Sequence, residues 1–252
     1  MVYLFDGTKA GFLTAFLSAY SDPEAILASR IVQLPLGQTP VAVPTDEARA
    51  ERAKTRLLSF DRGCIQDLEL LLRSGKPDCE QVAFEYFRLL AKEKRPVRKR
   101  LTQPEVFKAL EYIKKIRLEI HHFHGFIRFM ETVSGALYAP FSPDNDICDL
   151  LLPHFRARLP QFPFVLHDIK RKKAAVYDGK NAFVAPLEKA ELILSADETE
   201  WQTLWKRYYR AVNIPSRQRL KQMKGSMPVR YWKFLPETQT SAEDLRFFQS
   251  NR

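Results

Sequence analysis

The chain has 252 residues, with 40 Lys+Arg against 30 Asp+Glu and a formal net charge of +10 at pH 7. With 45% hydrophobic residues and 18 Phe it can bury a sizeable core, which excludes a disordered basic tail and a low-complexity protein. No stretch reaches the roughly 20 apolar residues that a bilayer span needs, and the N-terminus carries Asp6 without a leading basic cluster, so a cytoplasmic protein with no membrane partner is expected.

The elements are read in chain order. Val2 to Phe5 is a short β-type run, and Thr8 is placed to cap a helix through Tyr20 whose Phe12, Leu13, Phe16 and Leu17 have helical spacing. Ile31 to Leu36 and Val41 to Val43, separated by Gly37-Gln38-Thr39-Pro40, read as a hairpin. Residues 45–121 then read as a helical subregion: a capped start at Thr45-Asp46-Glu47, and segments at Asp61 to Leu72 and Asp78 to Leu90. The basic run Lys92 to Arg100 is read as a solvated loop ahead of direct DNA contact. Thr102-Gln103-Pro104-Glu105 has the form of a capping box, opening a helix to about His121.

After Gly125 the pattern takes on period two. Phe126 to Met130, Ala136 to Phe141, Phe164 to Asp168, Ala174 to Tyr177 and Ala182 to Ala185 read as strands, with a helix over Asp144 to Leu159 that Pro153 should bend or divide. The fold class expected is α+β, an antiparallel sheet of short strands, β-β-α-β-β over residues 125–187, packed with several helices. Glu198 to Val212 is a further helix, and its stripe of Trp201, Leu204, Trp205, Tyr208 and Val212 is read as core ahead of a base-stacking platform. Residues 1–237 are read as a single domain and 238–252 as a flexible tail.

No C-x-x-C, G-x-G-x-x-G or P-loop occurs, and Cys64, Cys79 and Cys148 are few and far apart, so the expectation is reduced structural thiols, no metal site and no cofactor. The candidate chemistry lies in histidines and arginines. His121-His122-Phe123-His124 is a conspicuous cluster, but H-x-H spacing alone is weak, and hydrogen-bonding histidines at a helix end are the commoner case. His154, His167 and Asp168 are the weak catalytic candidates. His167 and Asp168 are neighbours in a strand and point to opposite faces, so they form no dyad with each other. Arg128, Arg158, Arg171, Arg217, Arg219 and Arg230 lie near aromatic residues, the combination that pairs phosphate contacts with base stacking; core aromatics beside surface arginines give the same pattern.

The sequence resembles the family of DNA-metabolism proteins whose genes accompany a radical-SAM protein, and whose domain also occurs fused to uracil-DNA glycosylase domains. The resemblance spans nearly the whole chain. It runs through Val2 to Gly7, Phe12-Leu13, His121 to Phe129, Leu137-Tyr138-Ala139, Pro153 to Arg158, Val165 to Arg171, Trp205 to Tyr209, Ile214, Arg217 and Met227 to Trp232. The family's Asn-Pro is missing from the stretch Arg217-Gln218-Arg219-Leu220. The resemblance implies a DNA-binding accessory in repair or modification, with DNA, a radical-SAM protein and a uracil-DNA glycosylase as partners and no independent catalysis. On that reading Arg128, Arg158, Arg171, Arg217 and Arg230 contact phosphates, His122, His154 and His167 meet a flipped base or the backbone, and Tyr231 and Trp232 pack that surface or stack a base. The rivals are a glycosylase-like or hydrolytic enzyme using His154, His167 and Asp168, and a protein–protein adaptor.

Overall fold

Strand β1 (Val2–Leu4) lies between β2 (Ile26–Ala28) and β3 (Pro40–Ala42), and both neighbours run parallel to it. Helix α1 (Lys9–Ala19) makes the connection from β1 to β2 that a parallel pair requires. Its cap is as expected: the Thr8 hydroxyl accepts from the Gly11 N–H at 2.9 Å. The computed structural model describes residues 1–30, 40–214 and 219–239, with the backbone alone at Leu220. The expected strand Ile31 to Leu36, Arg217 and residues 240–252 lie outside the described residues. Val41 is in a strand, but that strand pairs with β1.

The chain divides into two compact units, Met1–Leu118 and Glu119–Arg252. In the first, α2 (Glu47–Phe60), α3 (Cys64–Leu72), α4 (Cys79–Glu93) and the start of α5 (Pro104–Phe126) surround an aromatic core. Phe12, Phe84 and Phe87 are fully buried in it, and edge-to-face pairs such as Phe12–Phe87 at 6.2 Å give it shape. Each such ring contributes about 1.5–3 kcal/mol relative to exposure. Cys64 and Cys79 belong to this core, and burial pushes their thiols up to about 11 and about 12.

The basic run is tied to this unit's own acids. Arg98 bonds the fully buried Asp67 at 2.5 Å, and Arg95 and Arg100 both reach Glu93. Gln103 supplies the first intrahelical carbonyl of α5, one residue later than the expected Thr102, because Pro104 takes the first helical position where a missing N–H costs nothing.

The second unit holds a five-stranded sheet in the order β4-β5-β6-β7-β8: Met130–Glu131, Leu137–Phe141, Phe164–Asp168, Lys173–Tyr177 and Ala182–Pro186. The sheet is mixed rather than antiparallel, because β5 and β6 run parallel. Their connection carries a 3₁₀ turn (Asp149–Leu151) and α6 (Leu152–Arg158), a crossover that returns the chain to the same end of the sheet. The expected helix over Asp144 to Leu159 is divided here: Pro153 lies in the first turn of α6, directly after the 3₁₀ turn. The expected strand from Phe126 is a second correction. Helix α5 continues through the His cluster to Phe126, since Phe123 and Ile127, four residues apart, both need burial, and β4 shrinks to two residues. Helices α7 (Glu198–Val212) and α8 (Leu220–Ser226) and 3₁₀ turns at Val229–Phe234 and Pro236–Thr238 complete the unit. Among the described residues no helix is long and apolar enough to cross a membrane.

Candidate nucleic-acid interface

Four of the residues singled out from sequence converge on one loop, Pro143 to Asp146. Asp168, at the end of β6 and fully buried, receives the Arg171 guanidinium at 3.0 Å and the Arg171 N–H at 3.2 Å. The same guanidinium donates to the carbonyls of Pro143 (3.1 Å) and Asp144 (2.5 Å). Glu119, buried on α5, accepts from the Asp144 N–H at 2.7 Å, the Asn145 N–H at 2.9 Å and the Asn145 side chain at 2.6 Å. Its fourth donor is the Tyr231 hydroxyl, at 2.6 Å. Arg230 lies over the Tyr231 ring and bonds the Asp144 carboxylate at 2.7 Å. This convergence is a polar knot. Each carboxylate is matched by donors, the condition under which buried charge is tolerated.

The residues read from the sequence as DNA contacts sit in different environments. Tyr231 is 1% exposed, packed on Phe123 at 4.6 Å, so its ring is core and offers no face to a base. Burial, and next the Glu119 hydrogen bond, push its phenol upward. Arg128 donates to both Glu237 oxygens and to the carbonyls of Gly125 and Ile127, so its donors are engaged internally. Trp232 is half-buried, its indole N–H bonded to the Met227 carbonyl at 3.0 Å. Arg158 is exposed at the end of α6.

The histidines do not assemble an acid–base site. His167 is 3% exposed and held from both sides, by the Tyr138 hydroxyl at 2.6 Å on Nδ1 and the Leu187 carbonyl at 2.9 Å on Nε2. A carbonyl can only accept, so Nε2 carries a hydrogen and donates it to Leu187. Asp168, next in the strand and so on the other face, is engaged by Arg171. His122 tilts against Phe126 at 5.4 Å, and burial, then His121, lower its pKa. His154 stacks on His124 with planes 11° apart. Near-parallel rings aim their lone pairs alongside each other rather than at one ion, and no group of three or more His, Cys, Asp or Glu among the described residues could hold a metal. Cys148 is buried, its thiol pushed up to about 12 by burial.

The exposed chemistry lies elsewhere, on α7. Glu198 fixes the start of the helix by accepting the Glu131 N–H at 2.9 Å, and Trp205 pins its middle through an indole bond to Glu237 at 2.9 Å, under the Arg128 guanidinium. Gln202, Lys206 and Tyr209 form the half-buried face. The apolar stripe, expected in the core, is exposed: Trp201 is 58%, Leu204 56%, Tyr208 57% and Val212 55% exposed. A sequence signal marks the region, and residue-by-residue reading passed over it. Between Trp201 and Phe234, 34 residues carry nine Lys and Arg and no Asp or Glu. Arg207, Arg210, Arg219, Lys221, Lys224 and Lys233 of that stretch are exposed.

The profile of a family described as a domain of unknown function, DUF4130, matches residues 77–237, well over half of the chain. The chain belongs to the DUF4130 family. The match to DUF4130 runs from just before α4 to the turn that holds Glu237, and so takes in the polar knot, the histidine stack and α7. No curated protein and no solved structure matches the chain.

Proposed function

We propose that this DUF4130 protein is a DNA-binding accessory factor in DNA repair or modification, acting beside a radical-SAM protein that supplies the redox chemistry. The observation that carries the DNA half is the acid-free stretch from Trp201 to Phe234, along which Arg207, Arg219, Lys221, Lys224 and Lys233 are exposed. Such a surface attracts a polyanion by releasing its counterions, and Arg207 and Arg219 add planar guanidiniums suited to phosphate. The radical-SAM half rests on the resemblance of the His121–Phe129, Val165–Arg171 and Met227–Trp232 segments to proteins encoded with such a partner. A uracil-DNA glycosylase is a further partner on the same grounds.

Anisotropy of labelled DNA tests the reading. Binding at about 50 mM salt that weakens steeply by about 200 mM is expected; no binding at the lower concentration, or affinity indifferent to salt, overturns it. An adaptor role is the second reading, favoured by the exposed apolar stripe on α7. Copurification with the radical-SAM protein in the absence of any DNA affinity selects it.

A further inference from the structure

We infer that the outward face of α7 is a stacking platform for the unpaired bases of single-stranded DNA, with Trp201 and Tyr208 as its two rings. This rests on the DNA-binding reading above and makes it specific. Trp201 and Tyr208 are seven residues apart, hence two helical turns on the same face and about 10.5 Å along the axis. That is the length of about three nucleotides at 3.4 Å each. Leu204 lies between the rings and continues the apolar surface.

Charge fixes the occupant. Arg207 sits one turn beyond Leu204, at the border of the stripe, and is exposed. Glu198 and Glu200, the acids of this helix, are confined to its first turn; Glu198 is buried, and Glu200, with Asp197 just before the helix, is exposed at the Trp201 end, so the phosphates are placed toward Arg207 and Tyr208. A strand whose bases lie on Trp201 and Tyr208 therefore finds the Arg207 guanidinium beside its backbone toward the Tyr208 end. Flat apolar rings next to guanidiniums are what a sequence-tolerant single-strand site requires, because every base has a π face and every nucleotide a phosphate. Duplex DNA fits the same face badly. Its base faces are already stacked inside, its grooves ask for donors and acceptors that Leu204 and Val212 lack, and its phosphates would be pressed against indole and phenol rings.

The test uses the full chain with fluorescein-labelled dT20, a duplex of equal length, and the variants Trp201→Ala, Tyr208→Ala, Trp201→Phe and Arg207→Gln. Both rings are more than half exposed, so the variants are expected to keep the wild-type circular dichroism. The platform requires dT20 to bind at least about 10-fold tighter than duplex, and each ring removal to weaken dT20 binding about 5- to 100-fold while leaving the salt slope unchanged. Trp201→Phe should recover most of that loss. Arg207→Gln should instead lower the salt slope by about one. If both ring variants hold dT20 as tightly as wild type while Arg207→Gln weakens it, the platform is wrong and the DNA-binding reading stands. If neither DNA binds, the underlying reading fails. If Trp201→Ala turns a sedimenting dimer into a monomer without changing DNA affinity, a second copy covers the stripe and the platform is overturned.

Discussion

His124 and His154 stack face to face, ring centroids 4.0 Å apart, with the Nε2 atom of each buried and without a hydrogen-bond partner among the described residues. Burial, then the neighbouring His154 and His121, lower the His124 pKa below its usual 6.5, and His122 is lowered for similar reasons. The folded protein therefore resists protonation that the unfolded chain accepts. The stability held by neutral rings is complete above about pH 6.5 and is lost as pH falls from there toward the lower folded-state values. Melting temperatures measured from pH 8 to 5 should drop on the acid side. His124→Phe, which keeps a ring against His154, should make that drop smaller, and an unchanged profile would remove the stack as its cause.

Glu119 receives four donors from Asp144, Asn145 and Tyr231. Glu119→Gln turns one acceptor oxygen into an amide that faces donors, so a loss of about 2–4 kcal/mol is expected in urea unfolding. Tyr231→Phe removes a single donor and should cost about 1–2 kcal/mol. Equal costs for the two would show that the carboxylate is not the centre of the knot.

His167 is clamped by Tyr138 and the Leu187 carbonyl, which tie both ring nitrogens into the fold. His167→Ala leaves a cavity and two orphaned polar groups and should destabilise by about 2–4 kcal/mol. Tyr138→Phe orphans only Nδ1 and should cost about 1–3 kcal/mol. A His167→Ala protein of wild-type stability would reopen an active-site role.

The strands of the second unit were legible because Leu137–Phe141, Phe164–Asp168 and Lys173–Tyr177 are short β-rich runs bounded by turn residues. The direction of β5 against β6 was not, because it depends on where the chain returns after Asp144–Leu159, and periodicity carries no such information. The same limit governs α7: spacing announces an apolar stripe on Trp201, Leu204 and Tyr208, and only the packed fold reveals that Gln202 and Tyr209 form the seated side instead. For the site, arginines beside aromatics looked alike in sequence. What separates Arg128 from Arg207 is an acid 109 residues away. The absence of acids from the whole stretch 201–234 was readable and is the better signal.

Gly11 sits where the Asp6 side chain meets the start of α1: a Cβ there would lie 2.1 Å from the Asp6 carboxylate. That carboxylate accepts from the Thr8 N–H, the Thr8 hydroxyl and the Thr45 hydroxyl, which hold its pKa down, the Thr8 side chain most of all. It cannot swing aside without losing them. Gly11→Ala, usually favourable inside a helix, should destabilise here by about 1–3 kcal/mol, while Gly125→Ala, with open space around it, should be neutral or stabilising. Differential scanning calorimetry of the pair checks the contrast.

Arg128 and Glu237 join the end of α5 to the turn beneath α7. The Glu237 side chain is 2% exposed, so its charge depends on the guanidinium that reaches it at 2.5 Å. Arg128→Met removes the cation and leaves a carboxylate buried, for which a cost of about 3 kcal/mol is expected. Glu237→Gln in the same chain should recover more than half of that, since the amide oxygen still accepts from Trp205 and no charge is stranded. Arg128→Lys should recover little: an ammonium cannot serve both Glu237 oxygens, two carbonyls and the Trp205 ring at once. The double variant also separates stability from binding. With Trp201 and Tyr208 untouched, it should hold dT20 within about 3-fold of wild type once folded, whereas a loss as large as that of Trp201→Ala would make Arg128 part of the interface itself.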